Sequence, residues 1–310
     1  MTITQLEYAV AVDDHRHFGK AAETCNVTQP TLSMQLQKLE DDLGVVLFDR
    51  SKKPIIPTEL GRKILDQARN VLREAHKINL IIADAKERFE GEFRLGIIPT
   101  VAPYLLHRFI GNFRKTFPLV TLVVEELQTA TIIDKLHRDY LDAGILATPL
   151  EEPNITEVPL FYEPFMAYIS PIDPLWKEEF VVTSELNSSK LLLLSEGHCF
   201  RNSVLRICND SEEQTKSGLM VEIGNFETVI KLVDEGFGNT LIPYLMALEI
   251  KGENQKNIKL IAEPRPVREI SLVYSRNQLK SKIIQKLEEI VKSSVPRKLL
   301  QNLGNVIPPK

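Results

Sequence analysis

The sequence predicts an α/β protein in which a small all-α unit with a β-wing and one long helix precede a two-lobed α/β domain. Three observations support this prediction: a leucine stripe at helical spacing near the N-terminus, an uninterrupted helical pattern of about 30 residues, and strands that alternate with helices over the rest of the chain. With 310 residues the chain is long enough for two or three domains.

The first unit is predicted over residues 1–57. A short helix at 18–25 is followed by a turn and then by Thr28, a residue type that commonly caps helices. A second helix buries one face, which is formed by the leucine stripe Leu32, Leu36, Leu39 and Leu43. Gly44 is expected to end that helix, because glycine adopts the left-handed conformation of a helix C-terminus without strain.

A single linker helix is predicted over residues 58–89, where no proline interrupts the pattern. Its apolar positions recur at threes and fours and comprise Leu60, Ile64, Val71, Ala75, Ile78, Ile82, Ala85 and Phe89. A helix of this length spans about 45 Å, and a seam that repeats near 3.5 residues favours pairing with the same helix of a second copy. Packing of the helix against its own chain is the alternative.

The remainder, residues 90–300, is predicted as a largely parallel α/β domain. The predicted strands cover residues 93–98, 120–124, 143–146, 165–169, 190–194, 240–242 and 269–274, with helices at 102–116 and 131–139. Prolines mark two crossings between subdomains, at positions 159, 164, 264 and 266. We therefore expect lobe I at about 90–162 and 268–300, lobe II at about 163–267, and a C-terminal tail at 301–310.

Composition excludes several classes of protein. The 43% hydrophobic and 26% charged residues are typical of a globular protein, and no apolar run is long enough for a membrane helix. The N-terminal segment lacks the pattern of a secretory signal, so we expect a cytoplasmic protein with no membrane partner. Three cysteines form no structural disulfide framework, and each is either a buried filler or a reactive thiol. No metal motif, Ser-His-Asp arrangement or nucleotide fingerprint is visible, so no cofactor is expected.

Two segments resemble the LysR-type transcription regulators: QLEYAVAVDDHRHFGKAAETCNVTQPTLSMQLQKLEDDLGVVLFDR at 5–50 and VDEGFGNTLIP at 233–243. The resemblance covers essentially the whole chain. It implies a winged helix-turn-helix DNA-binding domain and a periplasmic-binding-protein-like regulatory domain. Two further segments, GIIPTVAPYLL at 96–106 and EGHCFRNSVLRIC at 196–208, are similar to the members of that family that sense hydrogen peroxide.

The resemblance implies a redox switch in which peroxide oxidises Cys199 to a sulfenic acid and Cys208 resolves it to a disulfide. It further implies that peroxide is held by Thr100, Thr129, His198 and an arginine, for which Arg268 is favoured over Arg265. Threonine as a helix N-cap is the alternative for Thr100 and Thr129. From the residues themselves, His198 and Arg201 are candidates for lowering the pKa of the Cys199 thiol.

The spacing of the two cysteines conflicts with a helix. The residues between Cys199 and Cys208 have helix-like apolar spacing, and nine helical steps separate their Cα atoms by roughly 13 Å. A disulfide needs Cα atoms within about 7 Å. A helical thiol form therefore cannot form the bond without remodelling of this segment.

DNA contacts implied by the resemblance divide into two groups. Gln29, Thr31 and Ser33 are the candidates for contacts with base edges in the major groove, since the leucine stripe turns them outward. Two short strands, 45–48 and 55–56, flank a basic turn that carries candidates for phosphate contacts, namely Arg50, Lys52 and Lys53. Against this assignment, the first 60 residues hold nine acidic and six basic side chains, a net charge of −3.

The implied function is peroxide-dependent control of oxidative-stress genes. The expected partners are double-stranded promoter DNA, further copies of the chain in a homodimer or homotetramer, and RNA polymerase. An alternative is a LysR-type regulator that binds a small-molecule inducer between the lobes. A thiol peroxidase is a second alternative, but an enzyme needs neither a helix-turn-helix nor a long linker helix, so we expect no enzymatic activity.

Overall fold

A computed structural model of the chain describes residues 1–85, 89–186, 191–208, 223–276 and 278–309. The chain forms two compact units, Met1–Arg88 and Phe89–Lys310. No helix in the described part is long and apolar enough to cross a membrane.

The described residues of the first unit, 1–85, form four helices and a two-stranded sheet. The elements are α1 (Ile3–His15), α2 (Phe18–Thr24), α3 (Gln29–Leu43), β1 (Phe48–Asp49), β2 (Ile56–Pro57) and α4 (Glu59–Ala85). Three leucines of the predicted stripe, Leu32, Leu36 and Leu39, are fully buried, but the fourth, Leu43 in the last turn of α3, is 36% exposed. Gly44 ends α3 in the left-handed conformation, as predicted. Thr28 is the N-cap of α3, but its hydroxyl bonds the Thr31 hydroxyl instead of a helix N–H group.

The first strand of the wing is shorter than predicted, because a buried carboxylate accepts hydrogen bonds from its backbone. The predicted strand at 45–48 begins only at Phe48, which pairs with Pro57. The N–H groups of Leu47 and Phe48 donate to Oε1 of Glu40, at 2.7 and 3.3 Å, so they make no bonds within a strand.

Helix α4 packs partly on its own unit. Leu65 and Ala68 are buried in the core of the first unit, whereas Leu60 and Ile78 are 50% and 63% exposed. The side chains of Ile82 and Ala85 lie outside the described part. The assignment of Phe89 to this helix was wrong, because its ring packs edge-on against Phe117 of the second unit, with centroids 5.3 Å apart.

The second unit contains nine strands and six α-helices in its described residues. The strands are β3 (Gly91–Ile97), β4 (Val120–Glu126), β5 (Ala143–Thr148), β6 (Ile155–Tyr168), β7 (Phe180–Val181), β8 (Thr240–Pro243), β9 (Ile258–Ile261), β10 (Pro266–Ser275) and β11 (Asn305–Val306). The helices are α5 (Ala102–Thr116), α6 (Thr129–His137), α7 (Cys199–Ile207), α8 (Phe226–Asp234), α9 (Tyr244–Ala247) and α10 (Ser281–Ser294).

The sheet joins two lobes through two long strands. Strands run in the order β4-β3-β5-β10-β6 in lobe I, and β6 continues into lobe II, where it pairs with β8 and β9. Strands β3, β4, β5 and β6 run in the same direction in lobe I, and β10 is antiparallel to its neighbours β5 and β6. The prediction of a largely parallel sheet therefore holds for the directions of these four strands, whereas β10 departs from it: β6 carries the chain out of lobe I and β10 brings it back, so the two must run in opposite directions.

Two further predicted segments differ. The stretch 190–194 is not a strand in its described residues, since only Leu191 and Leu194 make isolated bridges; Lys190 lies outside the described residues. The predicted tail at 301–310 contributes β11, which pairs in parallel with the start of β10. Gly304 permits this approach, because a Cβ atom there would lie 2.5 Å from the Arg265 carbonyl oxygen.

Candidate functional site

A glycine turn places Cys199 at the N-terminus of α7. Gly197 has φ +89°, a conformation that other residues rarely adopt, and a Cβ atom on it would lie 2.5 Å from Nε2 of Gln128. His198 follows as the N-cap of α7, and Cys199 is the first helical residue. The turn thus holds the thiol where the backbone N–H groups of a helix are unpaired and favour negative charge.

A cavity of about 10 Å³ lies against this turn. Three segments line it, the end of β3, the start of α6 and the start of α7, through Ile98, Pro99, Thr100, Gln128, Thr129, Gly197, His198 and Cys199. This volume accommodates about one water-sized molecule. The structure therefore brings together Thr100, Thr129, His198 and Cys199, which were predicted from three separate segments of the sequence.

Neither threonine caps a helix. The N-cap of α5 is Val101, and the N-cap of α6 is Gln128, so the N-cap alternative for Thr100 and Thr129 was wrong. Thr100 is buried, and its Oγ1 and carbonyl oxygen accept hydrogen bonds from Arg268 at 3.0 and 3.1 Å. Oγ1 of Thr129 is also buried but makes no hydrogen bond of good geometry with any described residue.

Arg268 lies behind the cavity in a buried ion pair. Its Nε and Nη2 donate to Oε2 of Glu163 at 2.9 and 2.7 Å, and its guanidinium lies 5.1 Å from the ring centre of Phe200. Both charged side chains are almost completely buried. Arg265 instead pairs with Glu263 and is partly exposed, so Arg268 is the arginine that reaches Thr100. Glu163 was not predicted, because no motif marks it.

Opposing effects act on the pKa of the Cys199 thiol. Burial raises the pKa, while the charge of Arg268, the Thr129 hydroxyl and the Phe200 backbone N–H oppose this rise; the net direction is upward. Burial lowers the pKa of His198, so that its ring is neutral at pH 7.

The cation that acts on Cys199 differs from the prediction. A neutral His198 supplies no positive charge, and Nη1 of Arg201 donates to the Leu194 carbonyl at 3.2 Å. Arg268 supplies the charge instead, from a strand that follows the cysteine by about 70 residues in the sequence.

Cys208 is the C-cap residue at the other end of α7, and no disulfide joins it to Cys199. The helix predicted between them is confirmed. Cys199 packs against the hydrophobic core of lobe I, and Cys208 packs against that of lobe II. Cys25, the C-cap residue of α2, is half-buried against the core of the first unit, in line with a filler role.

The candidate DNA contacts are distributed over α3 and the wing. Gln29 and Thr31 are exposed at the start of α3, and Ser33 is half-buried. Lys52 and Lys53 are exposed in the turn of the wing.

Arg50 differs from the two lysines of the wing because its guanidinium contacts other side chains of the first unit. Its Nη2 lies 2.7 Å from Oε2 of Glu40, and its guanidinium lies over the Phe18 ring. It therefore supports the wing in addition to any contact with phosphate.

The described residues contain no group of three or more His, Cys, Asp or Glu side chains that could hold a metal ion.

Comparisons with known proteins identify the family. Residues 3–62 match the model of the bacterial regulatory helix-turn-helix protein, lysR family, and residues 86–296 match the LysR substrate binding domain. Relatives include the DNA-binding transcriptional dual regulator OxyR of Escherichia coli K12, which is 38% identical over 277 residues, 88% of this chain and 89% of the relative. The hydrogen peroxide-inducible genes activator of Haemophilus influenzae is 36% identical over 276 residues, 88% of this chain and 90% of the relative.

Similar solved structures give the same result. A full-length OxyR of Pseudomonas aeruginosa with a cysteine-to-aspartate substitution is 33% identical, with a TM-score of 0.74 and coverage of 94% of this chain and 98% of that one. A peroxide-bound cysteine-to-serine variant of Corynebacterium glutamicum OxyR is 28% identical, with a TM-score of 0.62 and coverage of 94% and 92%. On these matches, together with its own helix-turn-helix and two-lobed domain, the chain belongs to the LysR family of bacterial transcription regulators.

Proposed function

We propose that this regulator responds to hydrogen peroxide by forming a disulfide between Cys199 and Cys208, and that the disulfide changes its binding to promoter DNA. The observation that carries the proposal is the position of the Cys199 thiol, at a helix N-terminus and on the wall of a cavity shared with Thr100, Thr129 and His198. The names of the relatives, which include hydrogen peroxide-inducible genes activators, support it.

The size of the cavity favours peroxide over a metabolite. Sites for small organic ligands enclose about 300–1,000 Å³, whereas the cavity beside Cys199 holds about 10 Å³. Hydrogen peroxide, with two oxygen atoms, is much closer to this size than an organic metabolite is. The cavity thus supports peroxide sensing over the alternative of an inducer held at this position between the lobes.

The first chemical step is attack of the Cys199 thiolate on one peroxide oxygen. A sulfur–oxygen bond forms, the oxygen–oxygen bond breaks, and the departing hydroxide takes up a proton and leaves as water. Arg268 bonds Thr100 and Glu163 with four of its five N–H donors, which leaves one on Nη1 for an oxygen in the cavity. The buried Thr129 hydroxyl is a second polar group available to peroxide.

The second step is attack of Cys208 on the sulfur of the Cys199 sulfenic acid. A sulfur–sulfur bond forms, the sulfur–oxygen bond breaks, and a second water leaves. The step requires α7 to unwind, since nine helical residues hold the Cα atoms roughly 13 Å apart. At least one of the two sulfurs must also leave the lobe against which it packs. The covalent change is thereby coupled to a change of fold.

The disulfide would change how the regulator binds promoter DNA. The proposed base contacts are Gln29, Thr31 and Ser33, and the proposed phosphate contacts are Lys52 and Lys53, with Arg50 bracing the wing. Exposed apolar residues of α4, Leu60 and Ile78, support pairing with a second copy, and assembly into a dimer or tetramer is part of the proposal. A regulator of promoters acts in the cytoplasm, together with RNA polymerase, and as a sensor rather than an enzyme.

The proposal is tested by counting thiols after addition of one equivalent of peroxide, with DNA footprints taken from the same samples. The wild type and the matched control Cys25→Ser should each lose two thiols and change their footprint. Cys199→Ser should lose none and keep the footprint of the reduced protein. An equal change of footprint in wild type and Cys199→Ser would overturn the proposal and favour an inducer-binding regulator.

A further inference from the structure

Glu163 is a buried carboxylate that neither lines the cavity nor takes part in the steps above. It lies on β6 directly opposite Arg268 of β10 in the antiparallel register. Only 1% of its side chain is exposed, against 3% for Arg268. A buried carboxylate is costly unless it is paired and fully hydrogen-bonded, so each of its contacts carries weight.

Both oxygens of Glu163 are occupied. Oε2 accepts from Nε and Nη2 of Arg268, and Oε1 accepts from the backbone N–H of Leu245 at 2.7 Å. Leu245 belongs to α9 and packs in the core of lobe I. The carboxylate is thereby fixed at both ends, and Arg268 links it to Thr100 on the cavity wall.

The positive charge of Arg268 can attract two negatively charged groups. One is the Glu163 carboxylate, and the other is the thiolate that forms at Cys199 during the proposed reaction. In a medium of low polarity a nearby negative charge cancels much of the field that a cation projects onto a third group. The pairing of Glu163 with Arg268 therefore sets how strongly the positive charge of Arg268 stabilises the Cys199 thiolate.

We infer that Glu163 is a positioning residue that holds Arg268 against Thr100 and, by offsetting its charge, keeps Cys199 in the protonated resting form. The inference rests on the proposed function for its biological meaning. Physically, it states that Glu163 affects the ionisation of Cys199 through Arg268. This effect does not require peroxide to be the signal.

The test measures the pH at which Cys199 is half-ionised, from the rate of alkylation by iodoacetamide as a function of pH, followed by mass spectrometry of the Cys199 peptide in the reduced full-length protein. Glu163→Gln should move this midpoint down by about one pH unit, which gives about tenfold more thiolate at pH 7. Glu157→Gln is the matched control. Glu157 lies on the same strand and also accepts a backbone N–H, from Leu150, and its replacement should leave the midpoint unchanged.

A double-mutant cycle separates electrostatic coupling from loosened packing. Arg268→Gln should raise the midpoint, and Glu163→Gln added to that variant should shift it no further, because the mediating charge is gone. The double variant has neither charge, so no unpaired charge is buried in it. It can therefore still be measured if Glu163→Gln alone fails to fold. Faster alkylation of Glu163→Gln at every pH with an unmoved midpoint, or an equal shift in the Arg268→Gln background, would overturn the inference.

Failure of the proposed function is recognised separately. The alkylation series contains no peroxide, so its outcome stands if the wild type loses no thiols on oxidation. A wild type that loses two thiols, together with a Glu163→Gln variant whose midpoint does not move, would leave the proposed function intact and remove only the role of Glu163.

Discussion

Cys199 and Cys208 occupy the two ends of one α-helix, with the first against the core of lobe I and the second against the core of lobe II. The segment between them is therefore secured by two separate sets of apolar contacts. Phe200, the residue after Cys199, belongs to the second set and stacks near Phe165 and Phe226 at 5.0 and 5.1 Å. Bringing the sulfurs together must disturb at least one of these cores.

Oxidation should therefore expose the backbone of α7. With equimolar peroxide, amide hydrogen exchange of peptides covering 199–208 should become faster, because the helical hydrogen bonds that protect them are broken. Cys208→Ser is the control, since it can form the sulfenic acid but not the disulfide, and its exchange should stay slow. Unchanged protection in the oxidised wild type would contradict the remodelling of α7.

Replacement of Gly197 should disturb the position of the thiol. Gly197→Ala places a side chain at φ +89° and against Gln128, so we expect a decrease of about 1–2 kcal/mol in the free energy of unfolding and a slower reaction of Cys199 with peroxide. Gly224→Ala is the matched control, because a Cβ atom there meets nothing within 4 Å. Urea unfolding and stopped-flow oxidation give the two readouts; equal behaviour of the two variants would refute the role of the turn.

The Thr129 hydroxyl should matter for reactivity more than for stability. Thr129→Val removes a buried oxygen that makes no hydrogen bond of good geometry within the described residues, so the free energy of unfolding should be unchanged or slightly higher. The reaction with peroxide should slow, because the hydroxyl no longer lowers the pKa of Cys199. Thr131→Val, two residues on and exposed, should do neither. A wild-type rate in Thr129→Val would remove Thr129 from the site.

Reduced protein should lose stability in mild alkali. Because burial raises the pKa of Cys199 above its ordinary 9.0, the unfolded chain releases the thiol proton first, and the free energy of unfolding falls as the pH rises above about 9. Urea unfolding between pH 7 and pH 10 measures this fall, and Cys199→Ser should show a flatter profile. Tyr104, whose pKa burial raises to about 12, adds a similar fall above pH 10 in both proteins, which sets the upper limit of the comparison. Parallel profiles below pH 10 would count against a buried thiol.

The wing lysines should determine the salt dependence of DNA binding. Replacing Lys52 and Lys53 by glutamine should reduce the slope of log affinity against log salt by about 0.9 for each phosphate that the variant no longer binds. Lys115→Gln, an exposed lysine of α5, is the control and should keep the wild-type slope. Arg50→Gln should in addition lower the melting temperature, since it leaves the Glu40 carboxylate without its ion-pair partner. A wild-type slope in the lysine variant would exclude the wing from phosphate contact.

Local patterns in the sequence predicted the helices around the site well. Helix α5 has the predicted bounds, α6 begins two residues earlier than expected, and α7 fills the interval between Cys199 and Cys208. These elements follow from apolar spacing and from the glycine and proline residues at their ends, which act within a few residues. Helix α10 was not predicted, although Ile283, Ile284 and Leu287 give it an amphipathic pattern of the same kind.

Contacts between distant parts of the chain could not be predicted in the same way. Pro159 and Pro164 were predicted to mark a crossing between the lobes, and both lie within β6, the 14-residue strand that makes this crossing; Pro159 sits at a register shift between Ile270 and Ser271 of the facing strand. Such irregularities accommodate proline within a sheet. Glu163 and Arg268 are separated by 105 positions, and their pairing depends on that register, which no local pattern specifies.

The last residues of the chain close the junction of the two lobes. Leu299 is buried in lobe I, Ile307 packs against lobe II, and the N–H of Ile307 donates to the Val267 carbonyl, one residue before Arg268. Deletion of residues 305–307 would remove this brace while leaving every sensor residue in place. The segment 299–307 is therefore a poor position for an inserted tag, and proteolytic cleavage within it would alter the regulator without touching a cysteine.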